Sequence, residues 1–333
     1  MSPWWLACSL AVPAPLAAQT QALVVSGLGG EPRYRETFVR TALDLARAAR
    51  ERLGAAPADV VVLAEDPAGD AAIAGRSTTA EIGSRLQALA ARAAPQGLLL
   101  VVLVGHGSAT GGEARLNLPG PDLTPQTLAG MLGAFPTQSI VVVNAASASG
   151  DWVEPLAGPR RVVITATRSG IERDETHFAT HFAAALAADD ADRDKDGRLS
   201  VYEAFEYARR EVARLYERDQ RLQTEHPLLE ADGDRVGARE PEPTAGDGAA
   251  AATVFLTGAP AAAGRPGRAP TGLAAVRDSL QREVTRLRTR RGTMTAEEYE
   301  RRLEALLLEL ARVNRELKQR GDLEPRERQE PPE

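Results

Sequence analysis

Five short runs rich in Val, Leu and Ile recur between helical stretches, and this alternation constrains the fold more than any other feature. The runs are "ALVVSG" (22–27), "DVVVLAE" (59–65), "GLLLVVLVGHG" (97–107), "SIVVVNAASASG" (139–150) and "RVVITATRSG" (161–170). A strand with one wet face alternates apolar and polar residues. These are almost continuously apolar, which implies burial on both faces in a parallel sheet covered by helices. The intervening segments read as helices. One runs from about Arg35 to Leu53, a second carries a Thr78–Glu81 capping signal, and a third is capped by Thr124 with Pro125 at its first position. The fold class is therefore α/β, with a mostly parallel sheet and helices on both faces.

In such sheets, chemistry gathers at the carboxyl ends of the strands. The first strand ends in "SGLGGEP", whose Gly27, Gly29 and Gly30 fail to complete a dinucleotide fingerprint because Pro32 occupies its last position. This stretch reads instead as a tight strand-to-helix turn. The third run ends in "GHGSATGG", with His106 between Gly105 and Gly107. Glycine on both sides is expected to leave the ring without packing neighbours. The fourth run opens into Asn, Ala, Ser and Gly, with no strong nucleophile.

The segment "DRDKDGRLSVYE" (192–203) fills every position of the pattern D-x-[DN]-x-[DN]-G-x5-E, the EF-hand-type calcium loop. Calcium is a hard cation that takes about six to eight oxygens. Asp192, Asp194 and Asp196 supply carboxylates, Arg198 its backbone carbonyl, and Ser200 a direct or water-mediated contact. Glu203 closes the site bidentately, Gly197 permits the sharp turn, and Leu199 suits the loop's short β-contact. Helical flanks on both sides, the second with Val201, Phe205, Ala208 and Val212 on its inner face, fit a helix-loop-helix. Calcium is thus the expected cofactor. Downstream, "EADGDRVG" sets Asp232 and Asp234 beside a glycine turn as an incomplete second acidic site.

The strand ending in His-Gly-Ser, the following strand ending in a small-residue loop, and the β-α-β-α order before them resemble the caspase and legumain clan of cysteine peptidases. "GHGSATGG" is similar to legumain's Asp-His-Gly-Ser-Thr-Gly stretch, and "VNAASASG" lies where that family has Glu-Ala-Cys-Glu-Ser-Gly. The likeness covers roughly residues 20–190. It implies that His106 occupies the position of the family's base and Ala146, to within one residue, that of its nucleophile. Alanine cannot attack a carbonyl. The resemblance therefore implies a pseudopeptidase that binds a peptide or protein segment at a vestigial cleft. A working hydrolase pairing His106 with Ser147 or Ser149 is the alternative.

The rest of the chain bounds these readings. Residues 1–19 resemble a secretory signal peptide without a positive n-region, which implies export to the periplasm or the extracellular space. The chain's one cysteine, Cys8, lies inside that segment, so removal of the leader would leave a protein with no disulfide and no thiolate site. A formal net charge of −6 gives no footprint for nucleic acid, and no apolar run is long enough to span a membrane. The α/β domain, with the EF-hand-type loop inside it, is expected over 20–240. An Ala/Gly/Pro-rich linker follows over 241–270, interrupted by a short strand at "TVFL". Over 271–320, apolar residues at helical spacing (Leu273 to Leu287, then Leu303 to Leu317 after a Thr295 cap) predict a helical hairpin with coiled-coil-like packing. It would dock on the main domain, on a partner, or on a second copy. Residues 321–333 are expected to be a disordered tail. A third functional reading, an envelope adaptor acting through these helices, stays open.

Overall fold

The computed structural model describes residues 19–68, 70–110, 113–257 and 294–322, together with isolated helical positions between 273 and 287. Residues 1–18 of the expected leader, Cys8 among them, the hairpin turn at Arg291–Gly292 and the end of the tail lie outside the described residues.

In chain order the elements are β1 (Thr20–Ser26), α1 (Pro32–Glu51), β2 (Val60–Ala64), β3 (Gly75–Arg76), α2 (Thr79–Ala90), β4 (Leu98–Val104), β5 (Gly107–Thr110), β6 (Glu113–Leu116) and α3 (Pro125–Leu132). They continue with β7 (Ser139–Asn144), α4 (Val153–Leu156), β8 (Arg161–Thr165), α5 (Phe178–Ala187), α6 (Val201–Arg218), β9 (Leu228–Glu230), α7 (Gly246–Ala251) and α8 (Ala296–Asp322). Seven strands form one sheet in the order β3-β2-β1-β4-β7-β8-β9, all parallel except β9, which runs antiparallel to β8. The fold is thus α/β with a mostly parallel sheet. Among the described residues no helix is long and apolar enough to cross a membrane.

Side chains of a strand alternate between faces, so each run feeds two cores. In β1, Ala22 and Val24 join the core under α1, α5 and α6, while Leu23 and Val25 join the core under α2, α3 and α4. This double burial is why the runs lack polar alternation. The helices start where the sequence marks them. The Thr78 hydroxyl accepts the Glu81 N–H, and Thr124 accepts from Thr127 ahead of Pro125. The Thr78 cap is only half a capping box, because the Glu81 carboxylate turns to Arg85 instead. At the first turn, Gly29 lies against α1, where a Cβ would fall 2.5 Å from the Arg35 nitrogen. That contact confirms a tight strand-to-helix turn.

The segment after residue 240 corrects the expectation of a linker there. Residues 241–257 pack on the domain as α7 and a following turn with Leu256 buried, and 258–270 lie outside the described residues. Rather than a strand, "TVFL" makes a single bridge, Phe255 to Ser200. Val201 N–H donates to the Val254 carbonyl, and Leu256 N–H to that of Leu199. Farther on, Leu280, Val284, Leu287 and Val313 are buried, and Thr295 caps α8 through the Glu298 N–H at 3.3 Å.

Candidate functional site

Two places on this frame gather chemistry: the strand ends around His106, and the acidic loops beside α6 and β9.

From β1 the chain steps outward to β2 and β3 on one side, and from β4 to β7 and β8 on the other. The strand order therefore reverses between β1 and β4, the place where open α/β sheets hold ligands at their carboxyl ends. His106 follows β4 at this point, and the small-residue loop follows β7, its neighbour in the sheet. The expectation that the His106 ring lacks packing neighbours is corrected. Tyr34 and Phe38 of α1 meet it edge-on, with ring centroids at 4.7 Å and 5.0 Å. Those contacts cross from a helix remote in sequence, which flanking glycines cannot reveal. Burial lowers the imidazole's pKa, opposed by the carboxylates of Glu175 and Glu31, and so favours the neutral ring.

Of the residues in the β7 loop, Ala146 is buried in the core under α2–α4, the opposite half from Phe38. Ser147, one position on, faces the histidine segment. Its Oγ accepts the Gly107 N–H at 3.1 Å and donates to the Gly107 carbonyl at 3.3 Å. The approach is close enough to require glycine, since a Cβ at 107 would fall 2.1 Å from the Ser147 carbonyl oxygen. Ser149 is wholly buried. Its Oγ accepts the N–H groups of Ala166 and Thr167 at 3.1 and 3.2 Å, while the Thr167 hydroxyl accepts from the N–H groups of Ser149 and Gly150. Among the described residues neither serine is hydrogen-bonded to His106. A base-activated hydroxyl needs that bond, or one water in its place.

The loop at 192–203 brings together the carboxylates of Asp192, Asp194 and Asp196, with an oxygen of each within 4.8 Å of the others. Asp192 accepts from the N–H groups of Asp196 and Gly197, and Asp194 from Asp196, which wraps the chain around the three acids. Burial of its carboxyl, then the charges of Asp196 and Glu203, push Asp194 up to about 6. Ser200 and Glu203 bond to one another. Together they form a complete capping box on α6: the Ser200 hydroxyl accepts the Glu203 N–H, and the Glu203 carboxylate accepts the Ser200 N–H. The other Glu203 oxygen takes the N–H groups of Arg193 and Asp194. Arg198 turns its guanidinium onto Asp196 at 2.7 Å, and Arg277 approaches the same carboxylate at 3.4 Å. The donor set fits a hard cation at the three aspartates. Both guanidinium groups engage Oδ2 of Asp196 and so compete with a cation for that oxygen, and Glu203 would join the shell only by leaving its capping contacts. Val284, Leu307 and Leu310 share a cavity of about 490 Å³ with Asp194, Tyr202 and Glu203.

A second acidic cluster joins Glu230 and Asp247 to Asp232 and Asp234, again with oxygens within 4.8 Å of one another. The sequence exposes only its Asp-Gly-Asp core. Glu230 ends β9 two residues before Asp232, whereas Asp247 lies in α7, and only the tertiary fold brings it to the others. Both clusters could hold a metal ion.

No family model and no curated protein matches the chain. Among solved structures, the crystal structure of protein GSU0716 from Geobacter sulfurreducens aligns with a TM-score of 0.40 and 13% identity, covering 68% of this chain and 95% of that one.

Proposed function

We propose that the chain is an exported, calcium-binding protein of the caspase and legumain type that holds a peptide or protein segment at its strand ends without cutting it. The observation that carries this reading is the state of the β7 loop. Ala146 is buried, Ser149 is fully buried in bonds to Ala166 and Thr167, and Ser147 is tied to the Gly107 backbone rather than to His106. A nucleophile needs an exposed, base-linked hydroxyl or thiol, and these three side chains offer none. His106, on the neighbouring strand end, keeps its place beside the loop, with Tyr34 and Phe38 as an aromatic wall. The cleft of such a protein would keep its shape and lack its covalent step.

Calcium belongs to this reading through the three aspartates at 192–196 and the helices on either side of the loop. The ion would replace mutual repulsion among these acids with coordination, and so stiffen the turn between α5 and α6. The test is incubation of the protein with a diverse peptide library, in calcium and in chelator, with His106→Ala beside it and products read by mass spectrometry. The reading expects retained, uncut peptides that compete with one another. Cleavage that disappears in the His106→Ala protein would overturn it.

A further inference from the structure

Four acids meet where β9 ends and α7 begins, Glu230 on the strand, Asp232 and Asp234 in the turn after it and Asp247 in α7, and each braces its own surroundings with one oxygen. Glu230 Oε1 accepts the Gly233 and Arg235 N–H groups at 2.8 and 3.3 Å. Asp247 Oδ1 accepts those of Ala231 and Asp232 at 2.7 and 3.2 Å. Asp232 accepts from Asp234, and Asp234 from Val236. These bonds fix the carboxylates and leave each with a further oxygen. Glu230 is wholly buried, and its Oε2 has no hydrogen-bond partner among the described residues. Asp247 is only 7% exposed. No Lys or Arg among the described residues pairs with any of the four, unlike the 192–203 loop with Arg198 and Arg277.

A buried carboxylate oxygen without a donor is costly, and several such acids without a countercharge are costlier still. Either protons or a cation must answer them. Four oxygen donors drawn from a strand end, a turn and a helix suit a hard cation that accepts irregular geometry and completes its shell with water, which describes calcium better than magnesium. We propose that Glu230, Asp232, Asp234 and Asp247 form a second divalent-cation site, filled by calcium, that fastens the β9 turn to α7. This site is independent of the loop at 192–203 in its ligands, but the two are joined along the chain. Past α7, the segment pairs through Val254 and Leu256 with Val201 and Leu199 of the first loop.

The test is calorimetric titration of metal-stripped full-length protein with calcium chloride, on the wild type and on Glu230→Gln, Asp232→Asn and Asp194→Asn. Glutamine at 230 keeps an acceptor for Gly233, and Asp232 is exposed, so the folded state survives both changes; circular dichroism checks this. Two equivalents are expected in the wild type, with one lost in Glu230→Gln and in Asp232→Asn and the other lost in Asp194→Asn. A single equivalent that persists in Asp194→Asn and vanishes in Glu230→Gln would keep this site and remove the first. Stoichiometry unchanged by both Glu230→Gln and Asp232→Asn would overturn the proposal. So would a wild type with one equivalent abolished by Asp194→Asn, or with none.

Discussion

Replacing Ser149 by alanine separates a structural serine from a catalytic one. The Ser149 hydroxyl is the one acceptor for the Thr167 N–H among the described residues, while the Ala166 N–H is shared with the Asn144 carbonyl at 3.0 Å. Thr167 is 1% exposed, so water cannot take the hydroxyl's place. Removing it strands one buried donor, which costs about 1–3 kcal/mol, and the shared bond to Ala166 keeps the total near ~2 kcal/mol. Ser147→Ala differs. Gly107 is partly exposed, its N–H can be rehydrated, and the loss should stay below ~1 kcal/mol. Urea unfolding followed by circular dichroism measures both. A Ser149→Ala protein as stable as the wild type would refute the reasoning, and the bonds around Thr167 would not be holding the loop.

Further consequences follow from single contacts. Burial pushes the Glu225 carboxyl up to about 8, against the backbone N–H groups of His177 and Phe178 that it accepts. The folded chain thus keeps a proton that the unfolded chain releases near the ordinary carboxylate range. Stability should fall as pH rises from there towards 8, by at most ~1.4 kcal/mol per pH unit, and Glu225→Gln should flatten the profile. A flat wild-type profile would contradict this. Arg277→Ala removes a competitor for Asp196 and should tighten calcium binding at the first loop roughly fivefold, about 1 kcal/mol; weaker binding by calorimetry would contradict it. Gly29→Ala drives a methyl group against the Arg35 backbone and should cost about 2–3 kcal/mol, seen as a lowered unfolding midpoint.

The sheet was legible because burial on both faces writes itself as unbroken apolar runs: β2, β4, β7 and β8 fall inside four of the five that stand out, and β1 starts two residues before the first, at Thr20. β9 escaped because three residues, Leu228 to Glu230, owe their strand character to pairing with β8 rather than to any periodicity. The β5–β6 hairpin escaped because "GSAT" and "EARL" look like loop. The pattern Ser200-x-x-Glu203 was ambiguous in principle: it is both the end of a calcium loop and a capping box, and the capping box is formed. Asp247 was hidden in an Ala/Gly-rich stretch whose composition says linker, although its carboxylate holds the Ala231 and Asp232 N–H groups. Likewise, the aromatic neighbours of His106 come from α1, far away in sequence.

The central claim is that no hydroxyl in the β7 loop is an activated nucleophile, and covalent labelling addresses it most directly. The protein, with calcium chloride added, would be exposed to a fluorophosphonate, with adducts located by peptide mass spectrometry and His106→Ala treated in parallel. The account predicts no adduct on Ser147 or Ser149 in either protein. A stoichiometric adduct on Ser147 that depends on His106 would contradict it and identify a working serine hydrolase.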